Sequence, residues 1–111
     1  AAEFSAMKDG VVIVNTARGG IVDETALVAA LESGKVGAAG LDVFEHEPPT
    51  TDNPLLAFDQ VILSPHIAGV TEGAAERMAI SSARNILAFF ENDIDPALVV
   101  NRSEIGYVAE A

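Results

Sequence analysis

The chain has 111 residues, half of them apolar, and carries a formal net charge of −11 at neutral pH. That length predicts one domain at most, with apolar content enough for a core and against disorder. The acidity repels phosphates and argues against nucleic acid as a partner, while the lack of cysteine removes disulfides and thiolate metal sites.

In chain order, AAEFSAMKDG has helical apolar spacing at Phe4 and Met7, without a capping signal and without the basic and apolar regions of a secretory signal. No later run nears the roughly 18 apolar residues of a membrane span. A soluble, cytoplasmic protein is expected. Asp9-Gly10 turns into VVIVN, a Val/Ile run typical of a strand covered on both faces. DETALVAALESG predicts a helix capped by Asp23, with Glu24 at its positive end, an apolar stripe at Ala26, Leu27, Ala30 and Leu31, and a stop at Gly34.

KVGAAGLDVF reads as a second strand ending at Asp42, whose Gly37 and Gly40 suggest that another element packs very close. EHEPPTTDNP is a loop, LLAF one helical turn, and QVILS a third strand followed by the loop PHIAG. Thr71 and Glu72 open the longest helix, to about Asn92, with apolar residues at Ala75, Met78, Ala79, Ala83, Ile86, Leu87 and Phe90. DIDPALVVN turns at Pro96 and suggests a short final strand, and RSEIGYVAEA gives no strong signal. Strand, helix, strand, loop, strand, helix is the order of a parallel α/β sheet.

In such a sheet, ligands bind beyond the carboxyl ends of the strands. Strand polarity alone therefore brings Asn15 to Gly20, Asp42 to Glu47 and Ser64 to His66 to one edge. Singly, Arg18 reads as a surface or ion-paired residue and His66 as an ordinary loop histidine. Jointly, an arginine, a carboxylate and a histidine suit proton transfer at a carbon next to a carboxylate. A 2-oxo acid and its 2-hydroxy acid form the natural pair, but these residues supply no electron carrier. A metal site built from Asp42, Glu45, His46, Glu47 and His66 is disfavoured, because it lacks a helical i, i+4 pair. His46 is expected to be an exposed loop residue.

NTARGGIVDETALVAALESGKVGAAGLDVFEHEPP, followed by NPLL, VILSPHIAG and AERMAISSARNI, resembles the D-isomer-specific 2-hydroxyacid dehydrogenases, in their phosphoglycerate dehydrogenase and hydroxypyruvate or glyoxylate reductase branch. The resemblance runs from Met7 to about Asn101. It implies the C-terminal portion of a Rossmann-like nucleotide-binding domain over residues 1–92, ending in a long interdomain helix. Residues 93–111 would then return towards a substrate domain. The implied reaction is hydride transfer between NAD or NADP and a small 2-oxo or D-2-hydroxy acid.

In that scheme Arg18 anchors the substrate carboxylate, and His66, paired with Glu47, is the acid–base. Asp42 contacts the nicotinamide carboxamide. Thr16, Ala17 and Arg18, with the loop from His66 through Ala68 and Gly69, complete the cofactor contacts. No metal is implied. The spacing of Gly34, Gly37 and Gly40 does not make a pyrophosphate cradle. The chain alone is therefore expected to bind NAD(H) weakly and to turn over negligibly. The unpartnered stripe of the long helix is expected to drive dimerisation or swapping. A dinucleotide-sensing, corepressor-like interaction protein on the same fold is the alternative reading.

Overall fold

The computed structural model describes residues 2–106. A short helix α1 (Ala2–Ala6) precedes strand β1 (Val11–Asn15), helix α2 (Glu24–Glu32), strand β2 (Val36–Leu41), a 3-10 turn at Pro54–Ala57 and strand β3 (Val61–Leu63). Helix α3 (Glu72–Phe90) and a second 3-10 turn (Pro96–Leu98) follow. The three strands pair in the order β1-β2-β3, all parallel, as the sequence predicts. Val12 lies opposite Ala38 and Ala39 opposite Val61, with a register irregularity between Val11 and Val12.

Helix α2 begins where the Asp23 side chain accepts from the Ala26 amide at 2.9 Å, and it buries Leu27, Ala30 and Leu31. These pack with Val36, Ala39 and Leu41 of β2, with Phe44, and with Leu55 of the first 3-10 turn. The core is thus built between α2 and one face of the sheet. A methyl added at Gly37 would meet the Gly10 carbonyl oxygen at 2.8 Å, so the expected close approach exists there. At Gly40 it would meet only Val14 methyls at 3.7 Å, an ordinary contact, so the second expected close approach is absent.

Three further expectations need correction. β1 is not covered on both faces: Val12 and Val14 are 63% and 68% exposed, and Ile62 of β3 is 77% exposed. Its apolar run reflects β propensity on the open side as well as burial on the other. β2 ends at Leu41, so Asp42 lies just past the strand, though its amide still bonds to the Asn15 carbonyl at 3.0 Å. The segment after Pro96 forms a 3-10 turn and further turns instead of a strand, because Asp95 caps it by accepting from the Ala97 amide at 2.8 Å.

The chain forms two compact units, Ala1–Gly69 and Val70–Ala111. The division falls at the start of α3, where the sequence reading places a boundary after it, at 92/93. In the second unit Thr71 caps α3 by accepting from the Ala74 amide. Asn92, at φ +56°, closes it while the Asp93 amide reaches back to the Ala88 carbonyl at 2.8 Å, a Schellman ending. No residue of α3 is buried. The expected apolar stripe is therefore exposed, with Met78, Ile86, Leu87 and Phe90 all open to solvent. The last residues of the sequence reading, 107–111, lie outside the described residues.

Candidate active site

The three parallel strands deliver their following loops to one edge of the first unit. Beyond β1, buried Asn15 shapes the turn: its Oδ1 accepts from the Ala17 amide at 3.1 Å and its Nδ2 donates to the Arg18 carbonyl at 3.0 Å. This bracing leaves Thr16, Ala17 and Arg18 exposed, with Arg18 Nη1 donating to the Ala17 carbonyl at 2.6 Å. Gly19 follows with almost no room. A Cβ there would lie 1.8 Å from the Phe44 carbonyl oxygen, so the Arg18 loop rests directly on the backbone of the loop after β2.

That second loop is tied down at several points. The Glu24 amide at the start of α2 donates to Glu45 at 3.0 Å, and the Glu45 amide donates to Glu24 at 2.7 Å. Asn53 Nδ2 also donates to Glu24, at 3.0 Å. Held this way, Glu47 sits before a cis bond to Pro48 and uses both carboxylate oxygens. Oε1 accepts from the Phe44 amide at 3.0 Å, and Oε2 lies 2.7 Å from His66 Nδ1. The bond to His66, then the Phe44 amide, holds the Glu47 carboxyl below its ordinary pKa, and the charges of His66 and Arg18 act in the same direction.

With an ionised carboxylate as partner, Nδ1 is the donor, and Nε2 remains for a ligand. His66 takes a left-handed conformation, φ +55°. Beneath it lies Asp42, only 3% exposed, which accepts from Ser64 Oγ and from the Ile67 and Ala68 amides, each at 2.9 Å. The Ser64 hydroxyl is the leading cause of a lowered Asp42 pKa, opposed by burial and assisted by the two amides. Phe44, Pro48, Pro49 and Pro65 line a concavity beside the pair of Glu47 and His66.

The site thus joins Glu47 to His66, brings the Arg18 charge within their influence, and joins Asp42 to Ala68. Thr16 and Gly69 are exposed at their loops, and His46 is exposed as expected. Sequence reasoning placed Asn15 and Ser64 at this edge but missed their bracing roles, and it missed the reciprocal bonds of Glu24 and Glu45. Only Asn15 left a signal, an asparagine at a strand end ahead of small residues. Among the described residues, no three His, Asp or Glu side chains are grouped to hold a metal ion.

A parallel sheet with covering helix and polar groups gathered at its carboxyl edge defines a Rossmann-like α/β domain. The chain belongs to the D-isomer-specific 2-hydroxyacid dehydrogenases: the model of that family's NAD binding domain matches residues 1–68. A D-3-phosphoglycerate dehydrogenase of Archaeoglobus fulgidus is 54% identical over 77% of this chain and 16% of its own length. A glyoxylate reductase of Thermofilum pendens is 50% identical over 84% of this chain and 27% of its own. The crystal structure of a D-lactate dehydrogenase from Aquifex aeolicus, complexed with NAD and lactic acid, superimposes with a TM-score of 0.72 at 38% identity, covering 83% of this chain and 32% of that one. The chain therefore spans less than a third of each relative's length.

Proposed function

We propose that this chain contributes the acid–base and substrate-anchoring groups of an NAD(P)-dependent dehydrogenase that interconverts 2-oxo acids and D-2-hydroxy acids. The observation that carries the reading is the bond between His66 Nδ1 and Glu47 at 2.7 Å, at the edge where Arg18 also emerges. Glu47 fixes the imidazole with Nδ1 as donor, so Nε2 can give a proton to a carbonyl oxygen in the reduction and take one from the hydroxyl in the reverse oxidation. Arg18 pairs with the substrate carboxylate and orients the 2-oxo group towards His66.

The residues present fit a nicotinamide group. Asp42 Oδ2 makes one bond and keeps capacity to accept from a carboxamide, and the prolines and Phe44 offer apolar contact for a ring. When bound, NAD(P)H supplies the hydride. Thr16, Ala17 and the loop from His66 to Gly69 would flank it. The family's NAD binding domain and the NAD-bound D-lactate dehydrogenase support this cofactor class, and glyoxylate reduction by a relative supports small 2-oxo acids as substrates.

The test is reduction of glyoxylate and hydroxypyruvate with NADH or NADPH by the whole protein and its His66→Ala variant. The expected loss in kcat is about 10²- to 10⁴-fold, with dinucleotide binding retained. Equal turnover by the variant would sink the proposal. So would dinucleotide binding with no turnover by either protein, which is the behaviour of a sensing protein.

A further inference from the structure

A non-glycine residue at φ +55° is unfavourable and persists only where its surroundings over-determine it. The residues on either side of His66 bond to one carboxylate. Asp42 Oδ1 accepts from Ser64 Oγ, two residues before His66, and from the amide of Ile67, one residue after it. Oδ2 accepts from the amide of Ala68. The segment therefore wraps around a single buried acid.

That acid is fixed to the sheet. Its own amide bonds to the Asn15 carbonyl and the Ser64 amide bonds to the Leu41 carbonyl, both at 3.0 Å, so Asp42 and the start of the wrapped segment continue the parallel ladder. The bonds that the Asp42 carboxylate accepts from Ser64, Ile67 and Ala68 are charge-assisted, and such bonds are stronger than neutral ones. Asp42 reaches the Glu47–His66 pair through the backbone of the turn.

We propose that Asp42 is a positioning residue whose carboxylate folds Ser64 to Ala68 around itself and thereby sets His66 in its left-handed conformation with Nδ1 on Glu47. The functional meaning rests on the reading of His66 as acid–base; the structural role does not. The carboxamide of Asp42→Asn has one acceptor oxygen, so an NH₂ group would replace an acceptor facing an N–H donor. The imidazole would then lose its fixed approach to Glu47.

The test is nuclear magnetic resonance on the full chain, without substrate or dinucleotide. In Asp42→Asn, hydrogen exchange of the Ile67 and Ala68 amides should accelerate about tenfold or more, with the ladder amides of β1 and β2 unchanged. The ring nitrogen shifts of His66 should leave the Nδ1-protonated pattern for that of a free imidazole, with His46 as the internal reference. In Glu47→Gln the His66 ring shifts should change while the two amides stay slow. Unchanged amide rates or unchanged His66 shifts in Asp42→Asn would overturn the proposal, as would equal acceleration in Glu47→Gln. Should Asp42→Asn unfold, Ser64→Ala carries the test: about threefold acceleration at Ile67 and Ala68 is expected, and none would overturn it. These readouts do not involve turnover, so an inactive whole protein leaves the proposal standing, and its failure leaves the His66→Ala result intact.

Discussion

Glu47 illustrates how one side chain can brace two elements at once. Oε1 holds the Phe44 amide and Oε2 the His66 ring, so the group that orients the histidine is itself immobilised. Its lowered pKa gives a sign to the pH dependence. A carboxyl more acidic when folded than unfolded contributes stability in full above its unfolded value, about 4.3, and loses it as pH falls through the lower folded value. The urea midpoint of wild type should therefore exceed that of Glu47→Gln at pH 7, with the gap shrinking below pH 4. A gap independent of pH would refute the assignment. That Arg18, Glu47 and His66 emerge at one edge was legible from strand polarity, whereas nothing but the family resemblance singled out Glu47 over Glu45 as the partner of His66. The bracing roles of Ser64 and Asn15 were not legible, because a serine or asparagine that bonds to a neighbour's backbone or carboxylate looks like ordinary loop composition until the chain is folded.

At the level of elements, β1 and β2 meet where Gly10 and Gly37 pass backbone against backbone. The Gly10 amide bonds to the Lys35 carbonyl at 3.0 Å and Lys35 Nζ pairs with Asp9 at 2.8 Å, so the entry to both strands is fixed there. A methyl at residue 37 has to displace the Gly10 carbonyl. Gly37→Ala is therefore expected to destabilise by about 1–3 kcal/mol, measured by urea denaturation. A loss under about 0.5 kcal/mol, the range of indifferent surface changes, would contradict the contact. The strands and their polarity were readable from apolar runs and punctuation. The register irregularity at Val11/Val12 was not, since both residues satisfy a strand pattern equally. The missing C-terminal strand had a readable cause: Asp95-Pro96 is a capping pair, and it outcompetes the β preference of Val99 and Val100.

For the molecule as a whole, apolar surface is left open in both units. Val12, Val14 and Ile62 are exposed on the sheet, and Ile86, Leu87, Phe89 and Phe90 on α3. An acidic chain resists collapse at long range, but exposed apolar surface of this kind favours association at contact. Light scattering of the 111-residue chain should give a mass above 11.5 kDa that rises with concentration. A constant monomer mass would argue that these faces are tolerated in water. Beneath this, the contacts that brace the site run among residues 15 to 68: Asn15 on its turn, Gly19 against Phe44, Glu24 with Glu45, Asp42 with Ile67 and Ala68. The consequence is genetic. One contiguous stretch of sequence carries Arg18, the Glu47–His66 pair and their braces, so a recombination joint outside it transmits the whole arrangement, while one within it separates parts from the partners that hold them in place.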